Sequence, residues 1–184
     1  MRVFYFGTQE RQAYLYLPSG DFEAFEADPP RSLKTDWVPP TFELVTKDDF
    51  GDQLPKCDFP SYLPSTPILS QRAVERLGAS IALCGEALPI QLSNDSDSMY
   101  MFNVTLVLDA IDMERSKFLR FRSGRIMKYE RLVFDPTKVP EEPLFFKTTQ
   151  LGPVTEVFVT EGAVAAVQSA GLIGYDFRLA WSDD

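Results

Sequence analysis

The period of apolar and polar positions changes several times along the chain. Near the start, "RVFYF" (residues 2–6) and "AYLYL" (13–17) are short aromatic-rich runs, and "TFELVT" (41–46) alternates apolar with polar residues; all three predict strands. "LPSGD" (17–21), "DPPR" and "VPP" read as turns or breaks, and "KDDFGDQ" as an acidic loop. The stretch 54–67, "LPKCDFPSYLPSTP", predicts an extended connector, because proline locks φ and removes a backbone donor. After it the period becomes helical. Leu69, Ala73, Leu77, Ile81 and Cys84 form one stripe, with Ser70 placed to cap its start and Gly85 its end. Gly78 inside that stripe weakens the helix and marks a place where it could break.

"ALPIQL" and "MYMFN" read as strands separated by the polar turn "NDSDS". In "FNVTLVLDAIDMERSKF" (102–118), Val104, Val107, Leu108 and Ile111 fall at i, i+3, i+4 and i+7, which predicts a helix capped by Asn103. Thr105, Asp109, Asp112 and Ser116 would line its polar side. The alternation around "RSGR" predicts a β-hairpin turning near Ser123 and Gly124, and "PLFFKTT" a short strand. At the end, "TEVFVT" predicts a strand, Thr160 a cap, "EGAVAAVQSAG" a short helix buried through Ala163, Val164 and Val167, and "YDFRLAW" a closing strand. Strands outnumber helices and do not alternate regularly with them. The expected fold is α+β, a mainly antiparallel or mixed sheet with a few short helices.

Composition narrows the chemistry more than the fold. A chain of 184 residues fits a single domain, 1–184, with a β-rich part over 1–58 and a proline-rich connector at 59–67. Acids outnumber Lys and Arg 27 to 18, a net charge of −9, so nucleic acid is a poor default partner. The absence of histidine removes Ser-His-Asp and Cys-His catalysis and most catalytic zinc sites. Cys57 and Cys84 are isolated, with no C-x-x-C spacing, and Cys84 on the helical stripe reads as a small buried hydrophobe. No signal-peptide h-region and no membrane-length apolar run is visible, so the expectation is a cytoplasmic protein with reduced thiols and no membrane partner. The sequon at Asn103 is then idle.

Two clusters invite a chemical reading. Asp109 and Asp112, three apart on the expected helix, would be close enough to share a cation or acid–base work, though hard metals usually want more than two oxygen ligands. The competing reading is an ordinary polar face or a partner contact. Arg115, Lys117, Arg120, Arg122, Arg125, Lys128 and Arg131 fall within seventeen residues among Phe and Tyr, and Arg120, Arg122 and Arg125 are the candidates for touching RNA. Against this stands a solvated strand face paired with local acids. No Walker loop, G-x-G-x-x-G or G-x-S-x-G motif is present, so no catalytic, cofactor or metal site is expected.

The ordered segments "PILSQRAVERL", "ALPIQL", "YMFNVTLVLDAIDMERS", "RLVFDPTKVPEEPLFF" and "VFVTEGAVAAVQSAGLIGYDFRLAW" resemble a bacterial immunity-protein family of polymorphic toxin systems. The resemblance runs from about Thr66 to Trp181, and 68–184 would be the family core. Its most specific pieces are "LDAID…S", "FD…VP…PLF" and "AGLIGYDF" with the final Trp. It implies a cytoplasmic antidote, encoded beside a toxin, that binds the toxin domain and inhibits it without chemistry. No catalytic residue carries over from such a family. Electrostatic complementarity then singles out the acidic loops, with Asp48, Asp49, Asp52, Asp95 and Asp97 as the expected toxin contacts. The competing reading is that these are solvated turns.

Overall fold

The computed structural model describes residues 1–18, 30–151 and 156–183. In chain order its elements are β1 (Arg2–Tyr5), β2 (Tyr14–Tyr16), a 3-10 turn at Lys34–Asp36, β3 (Thr41–Val45), β4 (Ile68–Ser70), α1 (Gln71–Cys84), β5 (Gly85–Leu92) and β6 (Met99–Val104). They continue with β7 (Lys117–Arg120), β8 (Ile126–Arg131), β9 (Phe145–Phe146), β10 (Phe158–Thr160), α2 (Glu161–Ser169) and β11 (Arg178–Ser182). The fold is α+β, as the strand-rich pattern predicts. The turn at "LPSGD" and the start of "DPPR" run into residues outside the described ones.

One sheet has the order β2-β3-β5-β6-β4 and a second the order β11-β1-β10-β9. Only β3 and β5 pair in parallel; the other ladders of both sheets are antiparallel. The alternation of side chains across a strand explains how one sheet serves two cores. On β6, Met99 and Met101 enter a cluster with Leu15, Phe42, Leu44 and Leu88, while Phe102 and Val104 face a second cluster with Leu69, Leu77 and Phe145. Phe145 and Phe146 on β9 split in the same way, Phe146 joining Val3, Phe134 and Phe158 in a third cluster. Each fully buried Phe of this kind contributes roughly 1.5–3 kcal/mol of transfer free energy.

The helices follow their sequence stripes. Leu69, Ala73, Leu77, Ile81 and Cys84 are all buried, and α1 packs on β4, β5, β6 and β9. Ser70 Oγ accepts from Ala73 N at 3.1 Å, and Thr160 Oγ1 caps α2 through Ala163 N at 3.3 Å. Gly78 does not break α1, because it lies on the exposed side with nothing around it. Gly85, at the junction of α1 and β5, is required by close approach: a Cβ there would overlap the Asn103 carbonyl oxygen.

Residues 54–67 form no named strand, yet they are tied down. Ala13 N donates to Pro55 O at 3.0 Å and Leu15 N to Ser61 O at 2.8 Å. The buried Asp58 carboxylate accepts from Ser70 Oγ (2.7 Å), Arg72 Nη1 (3.1 Å) and Ile173 N (3.0 Å), joining this segment to the start of α1 and to the turn after α2.

The largest departure from the sequence pattern is at 103–112, which is not helical. Asn103 is a buried residue of β6, not a cap, and its amide donates to Glu86 Oε1 and to Arg31 O, both at 2.9 Å. Beyond β6 the chain is extended. Leu108 N donates to Lys147 O and Lys147 N to Leu106 O, both at 2.9 Å, while Asp112 N reaches Val133 O at 2.8 Å and Asp135 N reaches Ala110 O at 2.7 Å. Gln150 completes the clamp, accepting from Ile111 N and donating to Ile111 O, each at 2.8 Å. A short apolar run rich in β-branched residues fits either period, and here the non-local partners decide.

The predicted hairpin is present as β7 and β8, a two-stranded sheet of its own. Gly124 takes the positive φ (+85°) that its turn needs.

Candidate functional site

Because β3 and β5 run parallel, their C-terminal ends lie on the same side of the sheet, and the two acidic loops leave from there. Asn94 fastens the second loop to β3, accepting from Leu44 N at 2.9 Å and donating to Leu44 O at 3.1 Å, as a neighbouring strand would. The first loop is a tight turn organised by Asp48. Its Oδ1 accepts from Phe50 N (3.0 Å) and Asp52 N (2.9 Å), and its carbonyl accepts from Gly51 N at 3.0 Å. Asp48 is therefore half-buried and structural, whereas Asp49 and Asp52 are exposed. Between them stands Phe50, 93% exposed.

Each loop holds a cation of its own. Lys56 Nζ lies 2.6 Å from Asp95 Oδ2 and 2.8 Å from Asp97 Oδ2, and Arg11 Nη2 lies 3.1 Å from Asp52 Oδ2. The hydrogen bond from Lys56 is the main cause holding the Asp95 carboxyl below its usual range, with Asp97 N also donating to it. Lys56 is in turn raised, first by Asp95 and then by Asp97. The Arg11–Asp52 and Lys56–Asp97 pairs are exposed on both sides and Asp95 is half-buried against an exposed lysine, so each contributes only about 0–1 kcal/mol. The structure thus brings all five expected contact residues to one end of one sheet. Sequence reasoning missed the exposed Phe50 and the pairing of Lys56 with Asp95 and Asp97; an aromatic inside "DDFGD" was the available signal for the first.

Asp109 and Asp112 do not form a helical pair. Asp109 Oδ1 accepts from Thr149 Oγ1 (3.0 Å), Thr149 N (3.2 Å) and Thr148 Oγ1 (3.3 Å). Asp112 Oδ1 caps the next turn through Arg115 N (2.9 Å) and Glu114 N (3.0 Å), with Arg115 Nε at 4.0 Å from its other oxygen. Each carboxylate binds donors of its own chain. Among the described residues no three His, Cys, Asp or Glu side chains come together as metal ligands.

Arg120, Arg122 and Arg125 lie in the hairpin. Arg120 Nη1 donates to Gly124 O at 2.9 Å and its guanidinium sits 5.4 Å from the Phe118 ring centre, while that of Arg125 sits 6.0 Å from the Phe121 ring centre. Cys57 and Cys84 are free and buried. Burial pushes the Cys57 thiol up to about 11 and raises Cys84 as well, so neither is an activated nucleophile. Among the described residues no helix is long and apolar enough to cross a membrane.

What stands out is an α+β domain whose candidate site is an exposed charged surface tipped by an aromatic side chain. Residues 91–181 match the model of the immunity protein family (Imm11), the kind of family that the ordered segments resemble. The match takes in β6 to β10, α2, most of β11, Asp95, Asp97 and the whole hairpin; the Asp48 loop lies outside it. A comparison with curated proteins finds no match.

Proposed function

We propose that this chain is an immunity protein that binds a cognate toxin domain in the cytoplasm and neutralises it directly, without catalysis. The family match over residues 91–181 carries the reading, since such a family implies a toxin partner in general. The geometry lends support. An exposed aromatic anchor within a polar rim is the usual construction of a binding hot spot, and Phe50 stands among Asp48, Asp49 and Asp52 with Asp95 and Asp97 on the adjacent loop. These acids are the proposed toxin contacts, and they favour a partner that is basic where it meets them.

The test is co-expression with the toxin encoded beside this chain. Cells producing both should survive, and the purified proteins should form a stable complex. Death of the co-expressing cells, together with no complex between the purified proteins, would overturn the reading.

A further inference from the structure

We infer that the β7–β8 hairpin is a docking arm for an acidic protein surface. On the toxin-binding reading, on which this rests, that surface belongs to the toxin. The base of the arm is fixed. Tyr129 stacks on Tyr5, with ring centres 6.1 Å apart, and donates to Glu156, while Ser116 Oγ accepts from Val133 N at 2.9 Å. Phe118 and Tyr129 pack against the third core cluster. Beyond this base no third strand joins the hairpin among the described residues, and Leu119, Phe121 and Met127 are 45%, 47% and 47% exposed. A lone two-stranded hairpin is marginal in water, so one that pairs with no third strand among the described residues and leaves three large apolar side chains exposed is suited to being covered.

Its charge says by what. Residues 117–131 hold six of the 18 basic residues of the chain (Lys117, Arg120, Arg122, Arg125, Lys128 and Arg131) and a single acid, Glu130. Among the described residues none of the six makes a salt bridge. The rest of the chain is strongly acidic, so these cations are concentrated on this hairpin. Protein carboxylates complement them better than nucleic acid does. The guanidinium groups of Arg120 and Arg125 already lie over the Phe118 and Phe121 rings, where bases would stack. Leu119 and Met127 add aliphatic surface that a phosphate backbone would not bury.

The full chain, the toxin domain encoded beside it and a single-stranded oligouridine are the reagents for the test. Arg122→Glu with Arg125→Glu should weaken toxin binding about 100-fold near 0.15 M salt. Phe121→Ser with Met127→Ser should weaken it about 10-fold. Arg76→Glu, on the exposed side of α1, should leave it unchanged, and all three variants should melt like the parent. If both hairpin variants bind the toxin as tightly as the parent, the arm is overturned and the toxin reading stands. If the parent itself does not bind, the toxin reading falls and takes the arm with it. Oligouridine binding abolished by the charge reversal would reassign the arm to nucleic acid. Self-association abolished by it would reassign the arm to a second copy of this chain.

Discussion

Tyr5 and Tyr129 join the hairpin to the four-stranded sheet, and their hydroxyls give the seam a pH dependence. Burial, then the Glu156 charge, pushes the Tyr5 phenol up to about 12. Burial, then the hydrogen bond to Glu156, raises Tyr129 as well. In the unfolded chain both ionise near the ordinary value of 10.0. As pH rises past that value, the unfolded state loses protons that the native state keeps, so stability falls with pH. The contribution is intact below pH 10 and lost as pH climbs through the native values. Urea unfolding free energy should therefore decline from about pH 10 upward. Tyr129→Phe should flatten that decline, and tyrosinate absorbance should show two phenols titrating late in the native protein. Two late phenols missing from that titration would contradict this seam. On the acid side Glu86 behaves oppositely. Burial alone would raise it, but donors from Leu33, Asn103 and Ser32 together hold it below its usual range.

Among the elements, α1 and its flanks separate two kinds of glycine. At Gly78 nothing lies within reach of an added Cβ, so Gly78→Ala should stabilise the protein by roughly 0.5–1 kcal/mol through the lost freedom of the unfolded chain. At Gly85 the same methyl would meet the Asn103 carbonyl of the paired strand, so Gly85→Ala should cost more than about 2 kcal/mol and open the β5–β6 ladder. Denaturation midpoints of the two variants should move in opposite directions. The helix stripe, its Ser70 cap and the hairpin turn were all legible in sequence, because each rests on contacts within a few residues. The 103–112 segment was not. Its backbone partners, Val133, Lys147 and Gln150, lie far along the chain, and no local period encodes them.

At the scale of the whole molecule, a net charge of −9 should act on the rate of association more than on the fold. Replacing Asp49, Asp52, Asp95 and Asp97 with Asn should slow toxin association about 10-fold at low salt, with the difference fading by roughly 0.5 M. Asp48 is left in place, since its carboxylate holds two backbone donors of the loop. Stopped-flow association at several ionic strengths reads this out. An unchanged rate and salt slope would remove these acids from the interface.

By itself the sequence determined the α+β class, both helices with their caps, the hairpin, and the resemblance to an immunity-protein family, since all of these are written in local periodicity or in ordered segments. It also identified the acidic loops as charged, though not that they leave the same end of one sheet. Only the tertiary structure decided that the parallel β3–β5 pair brings both loops to one end, with Phe50 exposed on the first and Lys56 paired to the acids of the second. It also turned Asp109 and Asp112 from a supposed pair into two separate turn and loop anchors. The physical reason is the same in each case. Strand pairing and carboxylate capping join residues distant in the chain, and a side chain's partners follow from that pairing rather than from its own neighbours.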